Sequence, residues 1–146
     1  MAITQALANS FKKELLEAEH NFKQTGGDKF KIALYTSSAT LNSATTSFTI
    51  TNEVANSGQY TSGGGALVNL GTSIASGVAI VDYADRSFTG VTLTARGALI
   101  YNTSATATNA AVAALDFGAD KTATSGTFTI QFPAFTTSAA ILRISG

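Results

Sequence analysis

The sequence predicts an all-β protein: an antiparallel β-sandwich preceded by an N-terminal helix or arm. Three observations predict it. From residue 27 onward, short runs alternate apolar and polar residues, turn-forming residues separate these runs, and no helical pattern lies between them. Antiparallel strands need only short connections, whereas parallel strands need long crossovers, which are usually helical. We expect a jelly-roll-like strand order, with an immunoglobulin-like order as the alternative.

The N-terminal segment carries a different pattern, in which apolar residues recur every four positions. This stripe consists of Ile3, Leu7, Phe11 and Leu15. Such spacing places the four side chains on one face of a helix, for which Thr4 is a suitable N-cap. Two arrangements fit the stripe: the helix docks on its own domain, or it forms a terminal arm on a neighbouring subunit. We therefore divide the chain into a helical arm, residues 1–26, and a β-sandwich domain, residues 27–146.

The alternating runs mark the expected strands. In the first run Phe30, Ile32 and Leu34 alternate with Lys29, Lys31 and Ala33, which predicts a strand with one buried face. The expected strands are residues 30–35, 47–51, 66–70, 78–83, 91–95, 98–102, 111–117, 127–132 and 140–144. Clusters of Ser, Thr, Asn, Asp and Gly predict turns between them, including those at residues 62–65, 76–77, 120–122 and 125–126.

Composition limits the partners. The chain has 146 residues with a net charge of zero, is 45% hydrophobic and contains no Cys. Proteins that grip phosphate backbones normally carry a basic excess, so we expect no nucleic-acid partner. No apolar run approaches the length of a membrane-spanning helix, so we expect no membrane partner. The start of the chain lacks the pattern of a secretory signal, which favours synthesis in a cytoplasm.

The strands owe their polarity to hydroxyl groups. Thr is frequent in the alternating runs, and half of the charged residues lie in the first 31 positions. Lys and Glu on edge strands are a usual defence against association between sheets. A neutral β protein with few such charges is therefore expected to pack against other subunits. The alternative is a monomer whose sheet edges are covered by its own loops or arm.

Residues suited to catalysis or metal binding are few. The one histidine, His20, lies in the charged N-terminal segment and is interpreted as a solvated or capping residue. Asp82 and Asp85 have the spacing of a shared calcium site, but an adjacent arginine can neutralise the pair. Asp116 and Asp120 flank an expected strand end, which suits backbone capping better than a substrate cleft. We therefore expect no enzyme activity, no metal and no cofactor.

The aromatic residues allow one binding alternative. If several were exposed together, the tyrosines would form a platform for a carbohydrate. They are Tyr35, Tyr60, Tyr83 and Tyr101.

Three stretches of the chain resemble small virion proteins encoded by tailed bacteriophages. They are Phe30-Lys31-Ile32-Ala33-Leu34-Tyr35-Thr36, Ala95-Arg96-Gly97-Ala98-Leu99-Ile100-Tyr101-Asn102, and Ala114-Leu115-Asp116-Phe117-Gly118 with Gly126-Thr127-Phe128-Thr129-Ile130-Gln131-Phe132-Pro133. The resemblance covers nearly the whole chain and rests on an overall pattern, so it carries over no individual functional residue.

The resemblance implies a structural component of the virion, most like a capsid decoration or cement protein. The implied partners are the major capsid protein and further copies of the chain, on the capsid surface. In this interpretation the apolar stripe anchors the arm on a neighbouring chain while the sandwich lies over a capsid junction. The alternative is a tail or neck component, which includes a receptor- or glycan-binding module.

Overall fold

A computed structural model of the chain describes residues 2–136 and 138–145. In chain order the elements are β1 (Ala6–Leu7), α1 (Asn9–Leu16), β2 (Phe30–Tyr35), β3 (Gly65–Ala66), β4 (Asn69–Ala75), β5 (Val78–Tyr83), β6 (Arg86–Asn102), β7 (Ala110–Ile130) and β8 (Leu142–Ile144).

The strands form two antiparallel sheets, of order β1-β7-β6-β2-β3 and β4-β5-β8. The predicted all-β sandwich with an N-terminal helix is thus confirmed. The strand order differs from the jelly-roll-like order that we expected, because a jelly roll combines two Greek keys, whereas here the sheets have five and three strands and the β6–β7 hairpin lies between β1 and β2. It also differs from the immunoglobulin alternative, in which seven strands divide into ABED and CFG sheets.

A long hairpin of β6 and β7 replaces four of the expected strands. Residues 91–95 and 98–102 belong to β6, which has 17 residues, and residues 111–117 and most of 127–132 belong to β7, which has 21 residues. No turn forms at the signals inside β7: the register shifts in β-bulges between residues 116 and 121 and between residues 123 and 126, and Lys121 and Thr122 pair regularly with β6. Gly118 and Ser125 lie at these shifts with φ of 83° and 44°. Bulges need such backbone conformations, so the same residue types that end a strand here only bend one.

The bulges curve the hairpin strongly. Phe117 and Phe128 lie eleven positions apart on β7, yet their ring centroids are 6.1 Å apart. A straight strand would separate these positions by about 36 Å. The outer half of the hairpin pairs with neither β1 nor β2. We call this part, residues 86–95 of β6 and 117–130 of β7, the ribbon.

The remaining expected strands differ in how well they match. The strands at 30–35 and 78–83 have the predicted bounds. Residues 47–51 form no strand and make a single bridge, Ser47 to Ala110. The run at 66–70 is divided between β3 and β4, because a short connection interrupts it.

The helix in the N-terminal segment is shorter than the apolar periodicity predicts. Helix α1 starts after Ala8, which makes no side-chain capping bond, and the predicted cap Thr4 instead donates its backbone N–H to the Leu41 carbonyl at 2.8 Å. The apolar spacing of four therefore spans a strand and a helix. Both elements contact β7, since β1 pairs with it and α1 packs beside it.

In this structure the apolar stripe faces the chain's own core. Ile3 and Phe11 are 7% and 3% exposed, and Leu7 and Leu15 pack against the same core. The structure thus has the first of the two arrangements, with the helix docked on its own domain, because the apolar face finds β7 and the smaller sheet within the chain. A contact of these side chains with a neighbouring subunit stays a prediction. Phe22 also lies in this core, so the boundary expected at residue 26 coincides with no edge of the core.

A chain of aromatic rings links the N-terminal segment to both sheets. Phe11 contacts Phe22 edge to face, with centroids 5.9 Å apart, and Phe22 stacks on Phe30 of β2 at 4.8 Å. Phe30 in turn contacts Tyr83 of β5 at 5.6 Å, and Tyr83 contacts Phe132 at the same distance. Such pairs add about 0.5–1.5 kcal/mol each beyond the burial of their area. The N-terminal segment is therefore part of the packing between the sheets.

Two glycines allow a test of the close approach between β2 and the loop before β3. Gly64 has φ of 82°, and a Cβ there would overlap the carbonyl group of Ile32, whereas Gly77 has φ of 75° and open space around it. Replacement of either by Ala incurs the cost of a left-handed backbone, about 1–2 kcal/mol. Gly64→Ala must also displace β2, so we expect it to lower the free energy of unfolding by a further amount of about 1–3 kcal/mol. Urea denaturation measures both variants, and equal losses would contradict the close approach.

Candidate interaction surface

An apolar groove lies between α1 and the inner face of the smaller sheet. Its cavity volume is about 190 Å³, and its walls are almost entirely apolar. Residues of the N-terminal segment form one wall, and residues of β4, β5 and β8 form the other. The side chains that matter below are Leu7, Phe11, Leu15, Val81, Leu142 and Ile144.

The pairing register explains the sheet wall. Thr72, Val81 and Leu142 are directly paired across the three strands, and so are Ile74, Ala79 and Ile144. Directly paired residues point to the same face of a sheet. The second row is open to solvent, because Ile74 and Ile144 are 73% and 58% exposed. The groove therefore continues onto an exposed apolar row.

The helix wall comes from the predicted stripe. Phe11 and Leu15 are one helical turn apart and line the groove together with Leu7. Ile3 does not line it, since its side chain lies against Gly97 of β6. The structure thus brings three of the four predicted interface residues into one surface feature. Sequence reasoning missed the sheet wall, because the run 78–83 is equally typical of a fully enclosed strand.

A buried polar network holds the segment behind the groove in place. His20 has a fully buried side chain, and its Nε2 lies 3.0 Å from Oε1 of Glu14. Its Nδ1 lies 3.0 Å from Nδ2 of Asn102, which also donates to Oδ2 of Asp28 at 2.8 Å. The interpretation of His20 as a solvated residue was therefore wrong, because the helix and the end of β6 enclose it.

The network fixes which atoms donate. Oδ1 of Asn102 accepts the backbone N–H of Ser104 at 2.8 Å, so the amide is oriented with Nδ2 toward His20. Nδ1 of His20 must then accept, and Nε2 must donate to Glu14. Every ring nitrogen of His20 is satisfied within the protein, and no face of the ring is open to a substrate. The arrangement joins α1, the loop before β2 and the end of β6.

The acidic candidates are dispersed. Oδ1 of Asp85 accepts the backbone N–H of Phe132 at 2.9 Å, and Asp116 accepts the N–H of Gly118 at 2.8 Å in the bulge. The Gly118 N–H, and then the Arg96 side chain, hold the pKa of Asp116 below its ordinary value. Asp82 is 9% exposed and its Oδ1 has no hydrogen-bond partner among the described residues. Within residues 2–136 and 138–145, no three His, Cys, Asp or Glu side chains meet in a group able to hold a metal ion.

The tyrosines form no carbohydrate platform. Tyr35, Tyr60, Tyr83 and Tyr101 are between 0% and 3% exposed. The hydroxyl groups of Tyr35, Tyr60 and Tyr101 hydrogen-bond inside the protein: Tyr60, for example, donates to Oε2 of Glu53 at 2.7 Å and accepts the N–H of Leu34 at 2.8 Å. The carbohydrate alternative based on these residues was therefore wrong, because all four tyrosines are packed into the core and none presents a ring to solvent.

Comparison of the chain with models of protein families, with curated proteins and with solved structures found no match. None of the described helices has the length and hydrophobicity needed to cross a membrane.

Removal of the central amide tests the buried network. Asn102 has no solvent exposure, and Asn102→Ala leaves the backbone N–H of Ser104 and Nδ1 of His20 each without a partner. We expect the free energy of unfolding to fall by about 3 kcal/mol, because each stranded buried group costs about 1–3 kcal/mol. The matched control is Asn56→Ala, which removes one exposed bond to the N–H of Ser62 and costs about 1 kcal/mol or less. Thermal and urea denaturation measure the stability of both variants. Equal losses of stability in the two variants would contradict a stabilising role of the buried network.

The buried tyrosines predict a loss of stability in alkali. Burial raises the pKa of Tyr101 to about 12, and raises those of Tyr35, Tyr60 and Tyr83 further above the ordinary value. Since the unfolded chain releases these protons near pH 10, stability is complete below that pH and falls as the pH rises through the folded-state pKa values.

We expect the phenolate absorbance to rise and the far-ultraviolet circular dichroism signal to fall together, in one cooperative transition above pH 10. Independent titration of the phenols near pH 10, with the β signal intact, would contradict the burial.

Proposed function

We propose that the chain is a structural virion protein that binds the exterior of a tailed-phage capsid and stabilises it, as a decoration or cement protein. The observation that supports this proposal is the apolar groove with its exposed row. The resemblance of three stretches to small phage virion proteins supplies the class of partner. The proposed partner is the major capsid protein, and the proposed location is the capsid surface.

The groove has the chemistry of a protein–protein contact. Ile144 in its lining and Ile74 in the same row of the sheet are largely exposed. Exposed apolar side chains that cluster in this way mark interaction sites more often than isolated ones do. Burial of one such side chain contributes about 1.5–3 kcal/mol. Contacts of this size are weak singly and become strong when copies that are joined to one another bind the same particle.

Charge and surface chemistry suit a subunit that lies beside many copies of itself. A net charge of zero reduces long-range repulsion between neighbours. Hydroxyl side chains on the ribbon, such as those of Ser87, Thr94, Thr122 and Thr129, hydrogen-bond across the strands and keep a polar surface without charge. A protein that stabilises a capsid needs surface area for contact with its neighbours more than it needs a reactive group.

A binding assay with purified particles tests the groove. The double variant Ile74→Asp, Ile144→Asp places two carboxylates on its exposed rim, and Ile50→Asp changes an equally exposed isoleucine that does not line it. We expect the double variant to co-sediment with particles at least about tenfold more weakly, because two apolar contacts are lost, and Ile50→Asp to bind as the unaltered chain does. Unchanged binding of the folded double variant would contradict the groove as the contact.

A further inference from the structure

The two edges of the ribbon differ in what covers them. Along β6 the backbone bonds to a loop: the N–H of Gln59 donates to the Thr89 carbonyl at 3.1 Å, and Oε1 of Gln59 accepts the Thr89 N–H at 3.0 Å. Gly58 lies so close to Gly90 that a Cβ there would overlap its carbonyl oxygen. This edge is closed by the chain itself.

The β7 edge is closed only in its first part. The N–H of Ala8 donates to the carbonyl of Val112 at 3.0 Å, β1 pairs with the next two residues, and Oε1 of Gln5 accepts the N–H of Asp116 at 3.2 Å. From Phe117 to Ile130 no residue outside the hairpin hydrogen-bonds to the β7 backbone, within the part of the chain that the structure describes. One edge of the ribbon therefore presents unpaired N–H and C=O groups.

The open edge lacks the usual protection against strand pairing. Between Lys121 and Gln131 the single charged residue is Lys121, and the first proline comes at Pro133. The bulge at Ser125 interrupts the edge, so the part of β7 beyond this bulge is residues 126–130. A run of this length is that of an ordinary short strand.

A cleft of about 400 Å³ accompanies this edge, and every residue that lines it belongs to β7 or directly follows it. Its walls include Phe117, Phe128 and Ile130. Recognition by strand addition combines backbone hydrogen bonds with pockets for alternate side chains of the added strand. The open edge offers both features, so its chemistry fits an extended segment of another chain.

We propose that residues 126–130 of β7 pair, antiparallel, with the same segment of a second copy of the chain. An antiparallel edge is self-complementary, because one two-fold axis lets the same residues serve both copies. An axis at Phe128 places Thr127 of each copy opposite Thr129 of the other. Within the ribbon, hydroxyl groups already pair across strands in this way, Ser87 with Thr129 and Thr94 with Thr122, each at 2.9 Å.

Charge is compatible with this register. In this register the directly opposed residues 127 and 129 carry hydroxyl groups and no charge, and Lys121 lines the cleft beside them without being one of the paired residues. The proposal concerns copies of the chain and uses none of the residues that line the apolar groove. It therefore goes beyond the capsid contact and stands or falls separately from it.

The first experiment measures self-association by sedimentation equilibrium. The double variant Thr127→Lys, Thr129→Lys brings like charges face to face across the axis, and Thr51→Lys, Thr106→Lys adds the same charge at exposed sites outside the ribbon. We expect a dimer for the unaltered chain and for the control, and at least a tenfold larger dissociation constant for the ribbon variant. Circular dichroism verifies that each variant is folded. A monomeric unaltered chain, or a ribbon variant that dimerises as the control does, would overturn the proposal.

Cysteine cross-linking tests the register independently of stability. The chain contains no Cys, so Thr127→Cys and Thr129→Cys each introduce a unique thiol. Directly paired residues on two strands lie at a separation that a disulfide can bridge. Upon mild oxidation we expect the mixture of the two variants to form more covalent dimer than either variant alone. Equal yields from the mixture and from a mixture of Thr51→Cys with Thr106→Cys would show that the edges do not meet in this register.

Discussion

The pairing of β6 with β7 is the interaction on which the rest of the structure depends. β2 pairs with the last six residues of β6, β1 pairs with β7, and β3 joins only through β2, so the larger sheet has no order without this hairpin. Helix α1 packs beside β7, and Asn102 at the end of β6 closes the polar network around His20. A change that shifts the register of the hairpin would thus also displace the N-terminal segment and one wall of the apolar groove.

The two halves of the hairpin meet different environments, and their composition follows. Residues 110–114 of β7 are small and buried, because β1 and the loop at 46–48 approach them closely. Along residues 86–95 of β6 and 126–130 of β7, the ribbon mostly alternates buried apolar residues with exposed polar residues, as expected when one face of a two-stranded element is covered and the other faces solvent. Bulges bend β7 at Gly118, where the strand passes from the buried half of the hairpin into the ribbon, and at Ser125 within the ribbon. The same strand thereby supplies both core and surface.

Sequence patterns predicted the elements whose period is undisturbed, and missed those that depend on distant partners. The strands at 30–35 and 78–83 are mostly apolar runs flanked by turn-forming residues, so their bounds were predictable, although neither strand alternates between buried and exposed residues. Gly118 and Ser125 are typical of turns as well as of bulges, and only the partner strand decides between the two. The burial of His20 depends on Asn102, 82 positions away. Half of the groove was predictable from the apolar stripe, whereas the sheet wall depends on a register that no local pattern contains.

The proposed function connects these features, since a rigid hairpin frame, an apolar groove and an open strand edge are surfaces for contact with other subunits. A decoration protein occupies equivalent sites over the whole shell, whereas neck, tail or receptor-binding components occur only at a few positions of the particle. The measurement that tests the account most directly is the copy number of the chain in purified particles, by quantitative mass spectrometry against the major capsid protein. The account predicts a fixed, stoichiometric ratio to the capsid subunit. A handful of copies per particle, or none, would contradict it.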